Sequence, residues 1–526
     1  MDRLALGVRK LIHGNESARA RRWQALAATG RDVAASAELQ RFEATMRTEP
    51  EQGRVLLARA RTAAGTPFWA GLSIEQLLGM HMSIAGATGT GKTFLALALV
   101  LQILEHGRYP VIVLDLKGEL SELLLEVVVP ALASTEIGPE LLAHLRVVRP
   151  FDKSHLPLLR ITEAEEGIPR EVQAYNLAAT LEEATGEDLG GRMRRLLLRL
   201  TSLAIELNEP LPLIKTWLAH PSAFAAAARR SSDPETRAFA HSEFAKENRL
   251  SMEALAARLD TFLFLAETRL ALGAPSCLSF SMCLRQGLSV LDLGNPPAGA
   301  EQVQRFWAGM LVGRLTRAIL SREVDDDSPP VLVVLEEFQE ALGRHQVEQF
   351  ARLLSQSRFK RIACQFLNQQ ATQVAAVSPA LLRALQTNTN LVAIFRSNLE
   401  DARALAHALP TPREKRGDRP SRETLVEELT RLPDRMFYLW MKQAPFRAQL
   451  VRSPRLDLED LRERARRVPA DVRATIRQGT VAVRREELVR AVAAEERRRR
   501  DTRTTPDEIL VPRPERLAGS NLPELG

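Results

Sequence analysis

The residues with the most definite chemistry are Gly86-Ala87-Thr88-Gly89-Thr90-Gly91-Lys92-Thr93, the spacing G-x-x-x-x-G-K-[ST]. A short apolar run, residues 82–85, leads into them, and an apolar helical pattern follows from Phe94. That order is strand, glycine-rich turn, helix. The glycines let the backbone wrap inward, so that successive N–H groups and the helix N-terminus point at phosphate oxygens. Lys92 would reach the β- and γ-phosphates, and the Thr93 hydroxyl would ligate Mg²⁺. The plain alternative is a Gly/Thr-rich turn that matches by accident. The strand and helix fall where the motif needs them, and the stretch therefore predicts binding of a nucleoside triphosphate.

A second anchor is PVLVVLEE at 330–337, an apolar strand ending in paired carboxylates. A motor ATPase needs one carboxylate on the Mg²⁺ shell and one to orient or deprotonate the attacking water. Glu336 takes the first role and Glu337 the second. An acidic helix start stabilised by its dipole is the alternative. Residues 362–367 form another strand, leading to Asn368-Gln369-Gln370, and Gln369 is the amide expected to sense the γ-phosphate and the attacking water. A helix over 349–360 carries Ser357-Arg358. Arg358 is placed to neutralise transition-state charge, in cis or reaching into a neighbour; an ordinary helix-end arginine is the competing reading. Arg396, at the end of a strand over 390–395, is the second candidate for that role. The apolar run 110–116 ends in Asp115-Leu116-Lys117-Gly118-Glu119, and Asp115, Lys117 and Glu119 fall in the ligand crevice of an open α/β sheet, unless Glu119 only caps a helix.

These side chains require a sheet to carry them. The run 110–116 is rich in β-branched residues, which fits a buried parallel strand. A short strand is expected at 145–149, the sheet resumes at 288–293, and 437–441 with 446–451 reads as a closing hairpin. Between 162 and 274 the pattern is helical, with apolar residues at three- and four-residue spacing, as in Leu196-Leu197-Leu200 and Leu255-Leu259-Phe262. That stretch reads as an all-α domain inserted at a loop. Phe68-Trp69 could flank a base or pack under the sheet. Residues 456–503 are helical and charged, ending in an arginine run, and 504–526 is Pro-rich, polar and expected to be mobile.

The 526 residues carry a net charge of +7, a hydrophobic share of 45% and a charged share of 26%, an ordinary balance for a globular protein whose basic excess favours a polyanionic partner. The three cysteines (Cys277, Cys283, Cys364) lack metal-ligand spacing and read as reduced thiols of a cytosolic protein. No signal peptide is legible in residues 1–22, and the apolar run 94–104 is too short to span a bilayer. A cytoplasmic protein with no membrane anchor of its own is expected. Arg19, Arg21 and Arg22 read as a solvated face, with a DNA or subunit contact as the alternative.

Taken in order, the segments HMSIAGATGTGKT, VIVLDLKGEL, RVVRPFD, VLVVLEEFQEAL, SRFKRIACQFLNQQATQV and NTNLVAIFRSNLEDARALAHAL resemble the HerA/FtsK superfamily of hexameric translocases. They are most similar to the TraG-type coupling ATPases of conjugation and type IV secretion. The phosphate loop alone is generic; its combination with LEEF and a later Q…TQ element is much more specific. The resemblance implies an α/β, RecA-like P-loop NTPase fold with a mostly parallel sheet. It also implies ATP and Mg²⁺ as cofactors, Glu336 and Glu337 as the Walker B pair, Gln369 as sensor and Arg358 as a finger acting in trans. Glu336 stands where the family usually has Asp, no transmembrane pair precedes the motor, and the N-terminal stretch does not read as the small β-barrel of HerA proteins.

The expected organisation is a helical N-terminal segment (1–53), a motor domain in two parts (54–161 and 275–455), the helical insertion (162–274) and a charged helical C-terminal segment (456–526). The function expected is a ring-forming Mg-ATP-dependent motor, a homo-oligomer and by resemblance a hexamer, that pulls DNA through a central channel. A secretion, nuclease or other protein could partner it. The rival expectations are a secretion-type ATPase that moves protein or nucleoprotein, and a nucleotide-binding scaffold with weak hydrolysis.

Overall fold

In the computed structural model the described residues are 33–50, 53–186, 188–244, 249–274, 278–369, 371–409 and 422–501. Arg19, Arg21, Arg22, Cys277, Gln370 and the tail 504–526 lie outside them. The chain divides into two compact units. The first gathers the described residues up to His144, then 281–294 and 314–477; the second gathers 145–280, 295–313 and the described residues from Gln478.

The strands, in chain order, are β1 (Arg47–Thr48), β2 (Val55–Arg61), β3 (Pro67–Leu72), β4 (His81–Ala85), β5 (Val111–Asp115), β6 (Arg146–Val148), β7 (His155–Pro157), β8 (Leu288–Asp292), β9 (Val331–Glu336), β10 (Ile362–Asn368), β11 (Thr389–Ile394), β12 (Met436–Met441), β13 (Gln449–Arg452) and β14 (Ala482–Arg484). Within the first unit the sheet order is β1-β3-β2-β13-β12-β11-β4-β10-β9-β5-β8. From β11 to β8 neighbouring strands run parallel. Beyond β11 they are antiparallel, so β12 and β13 form the closing hairpin. Strands β5, β8 and β9 are buried along their whole length. This is why they read as continuous Val/Leu/Ile runs without alternation.

The helix Lys92–Leu104 behaves likewise: Leu95, Ala96, Leu97, Ala98, Leu99, Val100 and Leu101 are all fully buried. A helix apolar on every side belongs inside a core. The polar residue near its C-terminal end, Gln102, is satisfied: the side chain accepts from Leu56 N–H at 2.7 Å and donates to the Leu56 and Ala98 carbonyls. Phe68 and Trp69 are buried, with the Arg59 guanidinium 4.7 Å from the Trp69 ring centroid. They pack rather than present a face to a ligand.

The second unit is mainly helical, from Arg170–Thr185 through Gly190–Glu206, Leu211–Ala219 and Arg249–Leu263 to Ala266–Gly273. Its core includes an aromatic cluster in which the Phe224 and Phe244 centroids are 4.2 Å apart, and a stacked Phe262–Phe306 pair at 4.8 Å. The C-terminal stretch is not continuously helical as its charge pattern predicts. β14 interrupts it and pairs antiparallel with β7, because Val483 has an apolar neighbour there in Leu156 and Leu488. No helix among the described residues is long and apolar enough to cross a membrane.

Candidate functional site: a phosphate loop faced by strand-end carboxylates

Strand register sets the site. Along the C-terminal edge of the sheet, Ala85 is level with Asn368, while Glu336 is level with Leu367 on one side and Asp115 on the other. Four consecutive strands therefore deliver the loop, an amide and two carboxylates to one rim, where ligands of open α/β sheets bind.

The loop leaves β4 at Gly86, whose φ is +149°. A Cβ there would meet Phe395 Cβ at 2.6 Å, so only glycine fits. Gly89 and Gly91 also take positive φ, at +75° and +113°. Arg396 O accepts from Ala87 N–H at 2.7 Å and pins the loop to the end of β11. Lys92 is buried; its Nζ donates to the carbonyls of Gly86 (2.6 Å) and Ala87 (2.9 Å). Burial lowers its pKa, and the nearby Glu337 and Glu336 carboxylates oppose that shift. Thr93 occupies the first turn of the helix, beside Lys92.

Glu336 ends β9 and is buried, and its Oε2 has no protein hydrogen-bond partner. Burial, then the adjacent Asp115 carboxylate, pushes its pKa up to about 9. Asp115 is fully buried and accepts from three backbone donors: Oδ1 from Lys117 and Gly118 N–H, and Oδ2 from Ser121 N–H. Asp115 thus shapes the turn after β5, while the lone oxygen of Glu336 requires a proton or a cation. With Thr93 it suits Mg²⁺, which takes one or two protein ligands and fills its shell with phosphate oxygens and water. Among the described residues no three His, Cys, Asp or Glu side chains form an all-protein metal cage. When bound, the ion would neutralise charge on the phosphates and draw Glu336 into its ionised form.

Glu337 lies one residue on, in a left-handed conformation (φ +50°) and 2% exposed. Both oxygens are engaged. Oε1 accepts from Gln369 N–H (3.1 Å) and from Lys117 Nζ (3.3 Å), and Oε2 accepts from the Gln339 amide (2.7 Å). Strained backbone of this kind concentrates at functional sites. Glu337 is thus a buried carboxylate held in place by three donors. Lys117 and Gln339 are contacts that motif spacing does not foretell.

Gln369 reaches Glu337 through its backbone. The buried amide at the strand end is Asn368, whose Oδ1 has no protein partner. Glu119 opens the helix Glu119–Leu123. Arg396 is committed locally, with Nη2 3.0 Å from Asp434 Oδ1 and Nη1 donating to Leu432 O at 3.3 Å.

Arg358 stands apart from this cluster. It is exposed, in the turn that precedes β10, next to Ser357, whose Oγ is 2.7 Å from His81 Nε2 at the start of β4. That is the N-terminal edge of the sheet, a full strand of about 15 Å from the phosphate loop. A role in cis is ruled out by this placement.

Residues 56–267 match the family model of the central domain of helicase HerA. No curated protein matches the sequence. Among solved structures, the bacterial conjugative coupling protein TrwBdeltaN70 aligns over 79% of this chain and 92% of its own, with a TM-score of 0.50 and 15% identity. VirB4 of Thermoanaerobacter pseudethanolicus aligns over 76% and 95%, with a TM-score of 0.49 and 13% identity. The likeness to the coupling protein is one of fold. Sheet order, phosphate loop and strand-end carboxylates agree with the family match over residues 56–267, and the fold is that of a RecA-like P-loop NTPase.

Proposed function

We propose that the protein is a ring-forming, Mg-ATP-dependent motor that moves DNA, with Lys92, Thr93 and Glu336 holding Mg-ATP and Glu337 as the base. Asn368 or Gln369 reads the γ-phosphate, and Arg358 completes the site of a neighbouring copy. The observation that carries the motor reading is the row Ala85, Asn368, Glu336 and Asp115 along one sheet rim. It couples the phosphate end of the nucleotide to four strands at once. The net charge of +7 and the HerA central-domain match favour DNA as cargo.

The test is ATP turnover by the full chain with and without duplex DNA across a salt series. Stimulation that fades steeply with salt is expected, since phosphate contacts release counterions. Lys92→Ala should abolish turnover and leave thermal melting unchanged. Turnover indifferent to DNA would redirect the reading to protein cargo, and full turnover by Lys92→Ala would refute the site.

A further inference from the structure

The site as described accounts for the phosphates and leaves the rest of the nucleotide without a seat. Strand order supplies the direction. β4 lies between β10 and β11, and the carboxylates that handle the terminal phosphoryl group all lie on the β10 side. A triphosphate laid along the loop with its γ end on that side carries its ribose and base toward β11 and β12.

One residue there is held against the loop by unusual means. Arg435, just ahead of β12, takes φ +67°, a left-handed conformation rare for an arginine. Its backbone is pinned on both sides, donating N–H to Thr90 O and accepting from Ser453 N–H, each at 2.8 Å. A Cβ on Gly91 would meet its Cγ and Cα at 3.3 and 3.4 Å, so the side chain leaves directly over the loop. Its guanidinium lies 5.1 Å from the ring centroid of Phe94, the residue immediately after Thr93. Below it, the rings of Phe395 and Phe437 stack with centroids 4.8 Å apart. The Arg396–Asp434 ion pair braces the same turn.

We propose that Arg435 and Phe94 form the nucleoside end of the site, the planar guanidinium stacking on the base of the bound nucleotide. Guanidinium planes and aromatic rings both stack on flat π-systems, and stacking tolerates any purine because each has a π-face. The pair therefore separates nucleotides from bare polyphosphate, and it contributes little to the choice between adenine and guanine. This inference rests on the triphosphate reading of the loop.

The test compares ADP with inorganic pyrophosphate, which carries the same two phosphates and no nucleoside, by calorimetric titration of the full chain in Mg²⁺. Wild type should bind ADP at least about tenfold tighter than pyrophosphate. Arg435→Asn keeps a residue that tolerates left-handed backbone. It should weaken ADP about tenfold and leave pyrophosphate within about twofold, whereas Lys92→Ala should weaken both. Phe94→Leu keeps the apolar packing and loses the ring; it should weaken ADP alone by a few-fold, and it carries the test if the arginine variant melts early. Unchanged ADP affinity in the variants, or an equal loss for pyrophosphate, would overturn the nucleoside assignment while the triphosphate reading survives. A wild type that binds neither ligand would overturn the triphosphate reading and this inference with it.

Discussion

Glu336 is the residue whose state decides what the site can hold. Its pKa of about 9 arises from burial beside Asp115, so at neutral pH it carries a proton. In the unfolded chain the same group ionises near its ordinary value of 4.5. The folded state thus binds the extra proton, and the associated stability is complete below about 4.5 and is lost as pH rises toward 9. Glu336→Gln mimics the protonated form. Without Mg²⁺, it should therefore melt higher than wild type at pH 8–9 and show a flatter pH slope, while its Mg-ATP turnover falls by about 10²-fold or more. Parallel slopes for the two proteins would show that Glu336 is ionised at neutral pH. Glu336, Glu337 and Lys92 were legible from the sequence because motif spacing fixes them relative to the ends of β9 and β4. The hold of Lys117 on Glu337 was not, since the partners are 220 residues apart and meet only through sheet register.

At the level of elements, β4 is anchored at both ends, and its lower anchor is a side chain. His81 Nδ1 accepts from Cys364 N–H at 2.9 Å, which leaves Nε2 as the N–H directed at Ser357 Oγ. The imidazole is thereby fixed as one neutral tautomer, and burial pushes its pKa down to about 4. A depressed histidine contributes stability above about 6.5 that is lost as pH falls through 4. His81→Gln should remove that part of the acid sensitivity. It should also cost about 1–3 kcal/mol at pH 7, because the Cys364 N–H loses its buried acceptor. Thermal melts from pH 7 to pH 4 measure both effects; an unchanged acid slope would mean the imidazole is not the group that titrates. The sequence made the strands themselves easy to read, since buried parallel strands are written as unbroken apolar runs. It gave no notice of β14, three residues whose strand character comes from pairing with β7, or of Arg435, whose approach to the loop depends on β12 lying beside β11.

At the level of the whole molecule, the distance between Arg358 and the phosphate loop is the informative quantity. The arginine and its exposed neighbour Phe359 (84% exposed) occupy the turn before β10, at the far rim of the sheet from Lys92. If a neighbouring copy supplies this arginine, Arg358→Ala subunits should bind nucleotide normally and turn it over poorly. Mixed with Lys92→Ala subunits, they should recover part of the activity at interfaces where an intact loop meets an intact arginine. No recovery across mixing ratios would place the finger elsewhere. The phosphate loop and the strand-end carboxylates were legible because they lie on one sheet rim, where chemistry constrains residue type. The helical unit offers no comparable text, since its apolar spacing specifies packing alone.

The Lys92 ammonium is already seated on the Gly86 and Ala87 carbonyls. Its dehydration therefore belongs to folding rather than to the capture of nucleotide. An arriving phosphate would be met by a cation that trades one set of oxygens for another.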